Sequence, residues 1–431
     1  NKIDELWIDD EIAINADDSE DPAWATAMAR RERLGTTTQT AISDQNTNWP
    51  SDAEGKGMAH IMVLWDFRDT SGKLEGGVPT RLTQIVEGAP VYDPRLDDTV
   101  PGGTGTHRAG DNTTWEYNDG TTDIGENAAL IFLFYLLGWS ENGQLKFGMG
   151  EDPANIDIDS FIAMANVAEQ TVDGKKKYPL GGIIATDQDH QRILDQLEAA
   201  TGGKLGRVGG KWFLWLPHDD LVSAGTINED DMLLEAGLNF IPSGPIEDLF
   251  NTARGRFVDP DTLFQPGPYP EVVESTAVTE DGRTRLMDQD FGLIQDAGIA
   301  ERMAREQVRR SRFSAVWQFA TGPMGLQFQP FDVITINTRD TNNTDQLVRI
   351  VSMAFSPFGI VEFEVVEEDP SIYDVSDPLG TPVTQLEPQT LTFSQRAVTG
   401  LTATPSSIVG SNGTASDSFL VQWDDLGGCI D

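Results

Sequence analysis

The sequence has 431 residues, with 70 Asp or Glu against 30 Lys or Arg, a formal net charge of −40 and 39% hydrophobic residues. At about 100 to 200 residues per domain this length predicts two to four domains, and twenty Phe and ten Trp exclude wholesale disorder. The single cysteine, Cys429, excludes an intrachain disulfide, a zinc cage or an iron–sulfur cluster held by this chain, and so acidic a surface repels nucleic acid and anionic lipid.

The opening residues, from Asn1, are rich in Asp and Glu and show no basic-then-apolar leader, compatible with a chain that begins inside a longer product. Residues 3–14 alternate apolar with acidic positions and predict a strand, followed by a solvated acidic loop. Further strands are predicted at 59–67 and 83–92, the second interrupted by Gly88 and Pro90. Residues 93–118, rich in Gly, Thr, Asp and Asn, predict a long exposed loop. Asp123, Glu126 and Asn127 then mark the start of a buried helix over 128–137, with Gly138 as its stop. The longest apolar run, 128–139, has twelve residues against roughly 20 for a membrane-spanning helix.

A second texture follows. Phe161, Ile162, Ala165 and Ala168 recur at helical spacing over 160–170, a Lys175–Lys176–Lys177 run closes that segment, and 181–185 predicts a short strand. Ile193, Leu194 and Leu197 define a helix over 187–200, and Gly209-Gly210 between 204–208 and 211–216 is the strongest hairpin signal in the chain. Strands resume over 249–258, then a loop runs over 259–270. The best helix is 296–312, with Ile299, Met303 and Val308 on one side and Arg302, Arg305, Arg309, Arg310 and Arg312 elsewhere. Strands at 313–320, 331–337, 346–355 and 359–366 make a second β-rich body. Pro370, Pro378, Pro382 and Pro388 punctuate a linker, and 401–405 and 418–424 predict two strands of a further β-domain.

No catalytic signature emerges. His60, His107, His190 and His218 lack a His partner four residues away and a nucleophile elbow, and read as structural or surface residues. Residues 202–211 are glycine-rich without either phosphate-loop spacing. Asp-rich segments 119–126 and 152–159 do not follow EF-hand order and read as caps and solvated turns. Seventy carboxylates can supply a glycosidase pair anywhere, so their presence decides nothing. The arginine-rich helix is expected to pair with acidic neighbours, and Arg305, Arg309, Arg310 and Arg312 are the candidate intersubunit or interdomain contacts.

Several segments, in order, resemble one family. Gly77-Val78-Pro79, Val86-Glu87-Gly88-Ala89-Pro90-Val91-Tyr92-Asp93-Pro94-Arg95 and Glu126-Asn127-Ala128-Ala129 come first. They are followed by 157–169, 181–186, Gly210-Lys211-Trp212, Asp248-Leu249-Phe250-Asn251 with Gly255, Phe257, Val258, Asp259 and Pro260, the helix end at 305–312, and Glu367-Glu368-Asp369-Pro370. Together, over residues 60–372, they resemble the siphophage tail-tip hub family that includes the lambda tip attachment protein J. Residues 398–405 and 418–423 resemble the opening strands of a fibronectin type III module, with Trp423 as its core tryptophan.

The resemblance implies an α+β, β-rich multidomain chain: tail-hub β-barrel domains with an α+β domain between them and a partial fibronectin III-like β-sandwich at the C-terminus. The expected division is 1–146 (first hub β-rich domain), 147–240 (inserted α+β domain), 241–371 (second hub β-barrel domain), 372–396 (Pro-rich linker) and 397–431 (incomplete fibronectin III-like module). It implies a non-enzymatic homotrimer without cofactor that closes the distal end of the tail tube in the virion. The implied partners are the distal tail protein and other tail-tip proteins, an iron–sulfur hub partner, the tape measure protein C-terminus, and a host surface receptor reached through C-terminal modules. DNA would pass without specific binding, and no stable membrane insertion is expected. Acidic walls suit such a conduit, because each neutralised phosphate adds affinity that would retard passage. The alternatives are a virion-associated or secreted glycan hydrolase using paired carboxylates, and a β-sandwich adhesin.

Overall fold

The computed structural model describes residues 3–36, 38–43, 50–56, 58–141, 143–185, 187–233, 235, 237–339, 343–356, 358–376, 379–380, 400–409 and 415–422. Pro378, Pro382, Pro388, Trp423 and Cys429 lie outside them. The chain divides into two compact units, Asn1–Val383 and Thr384–Asp431.

The N-terminal part of the first unit is built from β1 (Ile3–Ile8), β2 (Glu11–Ile14), β3 (Met28–Leu34), β4 (Ala59–Trp65) and β5 (Leu82–Val86). These form a three-stranded sheet ordered β2-β1-β5 and a separate β3-β4 hairpin. Leu6, Ile8, Ala13, Ile14, Trp24, Met28 and Leu74 close one small core between them. Strand β3, MARRERL, escapes a periodicity reading because its charged side chains run on consecutive positions.

The segment expected as an exposed loop, 93–118, is tied down. Asp93, Asp97 and His107 are buried along with Tyr92 and Trp115. Tyr92 Oη donates to Asp97 at 2.8 Å, and the backbone N–H of Asp93 donates to His107 Nδ1 at 3.1 Å. Arg95 grips Asp93 and Glu169, each at 2.7 Å, which anchors the segment to a helix more than seventy residues away. Composition marks such a stretch as irregular; many of its residues are exposed, as expected, but the buried backbone and carboxylates at its anchor points are satisfied locally.

Behind it lies the largest core. Helices α1 (Ala128–Leu137), α2 (Ile158–Glu169) and α3 (His190–Thr201) pack with the hairpin of β6 (Lys204–Val208) and β7 (Lys211–Trp215). α1 is apolar all round and buried, as its sequence predicts. Asn127 caps it, accepting from Ala129 N–H at 3.0 Å, while its amide donates to Ala165 O and to Glu169, each at 3.0 Å. The expected strand at 181–185 joins no ladder: Gly181 N–H bonds to Leu293 O at 3.0 Å, and Ile183 is exposed. The β6-β7 register, Lys204↔Trp215 to Val208↔Lys211, is the one that Gly209-Gly210 dictates, both glycines lying at positive φ.

After two short strands, β8 (Thr226–Asn228) and β9 (Asn239–Ile241), the same core continues through β10 (Thr252–Arg254), β11 (Arg256–Asp259) and α5 (Ala297–Arg312), with the short helix α4 (Ser275–Asp281) between β11 and α5 in the chain. Gly255 separates β10 from β11 because a Cβ there would stand 1.9 Å from Gln289 O. After α5 come β12 (Val316–Thr321), β13 (Val333–Thr338), β14 (Asn343–Phe355) and β15 (Val361–Glu367). With β8 and β9 they form one six-stranded sheet in the order β8-β13-β14-β15-β12-β9. Ile227, Trp317, Phe319, Ile334, Ile336, Val348, Ile350, Phe363 and Val365 point to a single core on one face.

The fold is therefore mixed α/β and strand-rich, with few helices. Against the expected β-barrel domains, no barrel closes among the described residues. β8 and β9 remain open edges of three residues each, and the segment joining them makes a 3-10 turn at Glu229–Asp231 and a bridge from Met232 to Thr321 instead of a ladder. In the second unit β16 (Thr402–Val409) and β17 (Ala415–Gln422) pair antiparallel from Thr402↔Gln422 to Val409↔Ala415.

Candidate functional site

At its C-terminal end, α5 links the helical core to the end of the six-stranded sheet. Its buried Ile299, Ala300, Met303, Ala304 and Val308 belong to the helical core. Asp296 caps it, accepting from the N–H groups of Gly298 at 3.0 Å and Ile299 at 3.1 Å. Arg309, Arg310 and Arg312 crowd its last turn, where cations offset the negative end of the helix dipole.

Each of the four candidate contact residues meets an acid of the same chain. Arg305 holds Glu301 at 2.7 Å, one turn earlier. Arg309 pairs with Glu274 at 2.9 Å and donates to Asp374 O at 2.7 Å. Arg310 donates to the Glu368 carboxylate, to Tyr373 Oη at 2.7 Å and to Glu367 O at 2.9 Å. Arg312 reaches Asp281 at 2.8 Å and Glu280 at 3.5 Å. The last three tie α5 to α4, to the end of β15 and to the Pro370–Tyr373 turn.

The centre of this junction is Glu368, whose side chain is fully buried. Besides Arg310 it has the Arg349 guanidinium at 3.3 Å and accepts from Tyr373 Oη at 2.6 Å. The Arg349 guanidinium in turn lies 3.9 Å from the centre of the Trp215 ring. Phe213 and Trp215, both on β7, stack on Phe331 at interplanar angles of 8° and 14°. Phe331 has a φ of 73°, unusual for a bulky residue, and the stack holds it there. A hairpin of the helical core thus rests on the entrance to β13.

Glu306 lies in the same junction. Burial pushes its carboxyl up to about 7, opposed by the charges of Lys177, Arg310, Arg302 and Arg349. Burial also holds the Arg302 and Arg349 guanidinium groups below the usual arginine range. Arg310, Arg349 and Tyr373 converge on Glu368 and tie the end of α5 to the six-stranded sheet, with Glu368 Oε2 and Arg349 Nη1 buried without a hydrogen-bond partner of their own among the described residues. Sequence reading found the arginines but not Glu306, Arg349, Glu368 or Tyr373. The only sequence signal was the Glu367-Glu368-Asp369-Pro370 segment that carries the resemblance.

The histidines are scattered. His107 is buried with Asp93 N–H on its Nδ1, His190 Nδ1 lies 2.5 Å from Tyr135 Oη, His218 packs beside Trp215, and His60 Nδ1 faces Met58 O at 3.0 Å. Among the described residues no group of three or more His, Cys, Asp or Glu could hold a metal ion, and no helix is long and apolar enough to cross a membrane. At the end of the six-stranded sheet where β14 begins, an open cavity of about 550 Å³ is lined by Glu229, Asp230, Asp231, Arg339 and Asp345.

No protein-family model and no curated protein matches the sequence. Among solved structures, a chain from the virion of a native gene transfer agent particle is similar over 88% of this chain and 78% of its own, at 16% identity and a TM-score of 0.53. The 43 kDa tail protein of prophage MuSo2 from Shewanella oneidensis matches 47% of this chain and 58% of its own, at 14% identity and a TM-score of 0.31. The prophage tail protein gp18 from Listeria monocytogenes EGD-e matches 42% and 54%, at 13% identity and a TM-score of 0.29. The likeness to the gene transfer agent chain is one of fold, shared across nearly the whole of this molecule.

Proposed function

We propose that the chain is a structural, non-enzymatic component of a phage-like tail, a hub that closes the distal end of the tail tube as a homotrimer and forms part of the DNA conduit. The observation that carries this reading is the fold shared over 88% of the chain with a virion chain. The ordered segments that resemble tail-tip hubs support it from the sequence side. In this reading the domains divide near residues 146, 240, 371 and 396, and residues 397–431 begin a fibronectin III-like module for host attachment. Arg309, Arg310 and Arg312 are then candidate intersubunit or interdomain contacts, although the acids they meet in this chain, Glu274, Glu368, Glu280 and Asp281, lie inside the same 241–371 domain, and Arg305 steadies the helix that carries them. The partners are the distal tail protein, other tail-tip proteins, an iron–sulfur hub protein, the tape measure C-terminus and a host receptor.

The charge of −40 fits a conduit. Carboxylate walls repel phosphate, so DNA slides without the counterion release that makes protein–DNA contacts adhesive. The experiment is a reconstruction of tail ends from particles carrying the chain. Density for three copies around the tail axis at the distal tip is the expected result; its absence from the tail, or a single copy there, defeats the reading.

A further inference from the structure

Two edges of the six-stranded sheet stand out by what they lack. β14 has thirteen residues, but β13 accompanies it only to Arg349, with a last pair of backbone bonds at Ile350. Beyond that, β14 runs on beside β15 to Phe355↔Val361, so residues 351–355 form an overhang with no strand on their other side among the described residues. Phe355 on this overhang is 58% exposed, and Phe358 in the following turn is 90% exposed. The other edge is β9, the end strand of the sheet, with Ile241 exposed.

Both edges are free of charge. Residues 350–361 and 236–246 contain no Asp, Glu, Lys or Arg in a chain where 23% of residues are charged. The polar row across the outer face ends neutrally too: Gln318 donates to Glu364 at 3.0 Å, and Asn239 on β9 donates to Gln318 at 2.9 Å. Open strand edges are usually blunted with charge or proline because they recruit other strands. Neither the overhang nor β9 carries such a guard within the strand.

We propose that copies of this chain join head to tail, β9 of one copy adding to the β14 overhang of the next; this rests on the homo-oligomeric reading above. A second copy is the occupant because two molecules of charge −40 repel wherever acidic faces meet, and uncharged edges are where that repulsion is least. A basic partner would be drawn to the carboxylates and away from these edges. Because the two edges differ in place and sequence, the contact is heterologous and closes only as a ring.

The test uses the whole chain with Cys429→Ser as background. Asn239→Cys and Ala354→Cys variants are treated with a short bis-maleimide, separately and mixed. The expected result is a covalent dimer in the mixture, none from either variant alone, and a ladder ending in a closed ring when one chain carries both substitutions. Cross-linking of either variant with itself overturns the head-to-tail contact. No cross-link in the mixture, with oligomers present by sedimentation, places the contact elsewhere and spares the homo-oligomeric reading. Monomers at every concentration, even in 1 M salt where charge is screened beyond about 3 Å, overturn both. Monomers whose Phe358 binds neutral phosphatidylcholine vesicles, with binding lost in Phe358→Ser, assign the overhang to lipid instead. Ile241→Glu and Ala354→Glu, with melting unchanged, are expected to weaken association by about tenfold or more through like-charge repulsion.

Discussion

Glu368 is buried at the end of β15 and answered by Arg310, Arg349 and Tyr373, so the three partners do not contribute equally. Removing Arg310 leaves a buried carboxylate with a single cation, and Arg310→Ala is expected to cost about 3 kcal/mol in urea unfolding. Arg305→Ala removes a pair within one helix turn, with Glu301 still accepting from Gly380 N–H at 2.8 Å, and is expected to cost about 1 kcal/mol or less. Equal losses for the two would show that Glu368 is not the centre of the junction. Glu306 gives a pH signature. Its carboxyl is raised by burial from 4.5 to about 7 in the folded chain, so the native state holds the extra proton between these values. The stability this contributes is complete below 4.5 and is lost as pH rises through 7, on the order of 3 kcal/mol. Glu306→Gln is expected to flatten that part of the stability profile, so that the wild type falls below the variant above pH 7; parallel profiles would refute it.

Among the elements, α1 shows how much local sequence settles. Asn127 before an apolar run and Gly138 after it specify the start, the end and the burial of the helix. Asn127→Ala also strands the Glu169 and Ala165 contacts, and a loss of about 2 kcal/mol is expected by thermal melting, more than a surface cap would give. The β6-β7 hairpin and α5 were legible for the same reason, a turn or cap signal beside a regular apolar pattern. Segment 93–118 is the irregular and partly exposed stretch its composition predicts, but its anchoring was not legible because that comes from Arg95, Asp97 and His107 meeting partners that periodicity does not encode. Strands β8 and β9 passed unseen because three residues carry no period, and they are strands only because β13 and β12 lie beside them. The arginines were legible as a cationic helix, whereas Arg349 and Glu368 became part of the site only when distant strands met it.

For the whole molecule, Asn1–Val383 and Thr384–Asp431 are two compact units. A chain shortened after Val383 is expected to keep the same main melting transition, and a marked fall in that transition would argue against two independent units. Anisotropy with duplex DNA at physiological salt should detect no binding, since the overall charge opposes the phosphate backbone.

The amino-acid sequence by itself determined the acidity, the apolar helix, the hairpin and the amphipathic arginine helix, because each depends on neighbours within a few residues. The tertiary structure alone decided that the strands after α5 form an open six-stranded sheet, that the 93–118 segment is anchored through buried Asp93, Asp97, His107 and Trp115, and that α5 closes on Glu368. Those outcomes depend on which distant groups satisfy buried charges and strand edges, and such pairing leaves no local pattern to read.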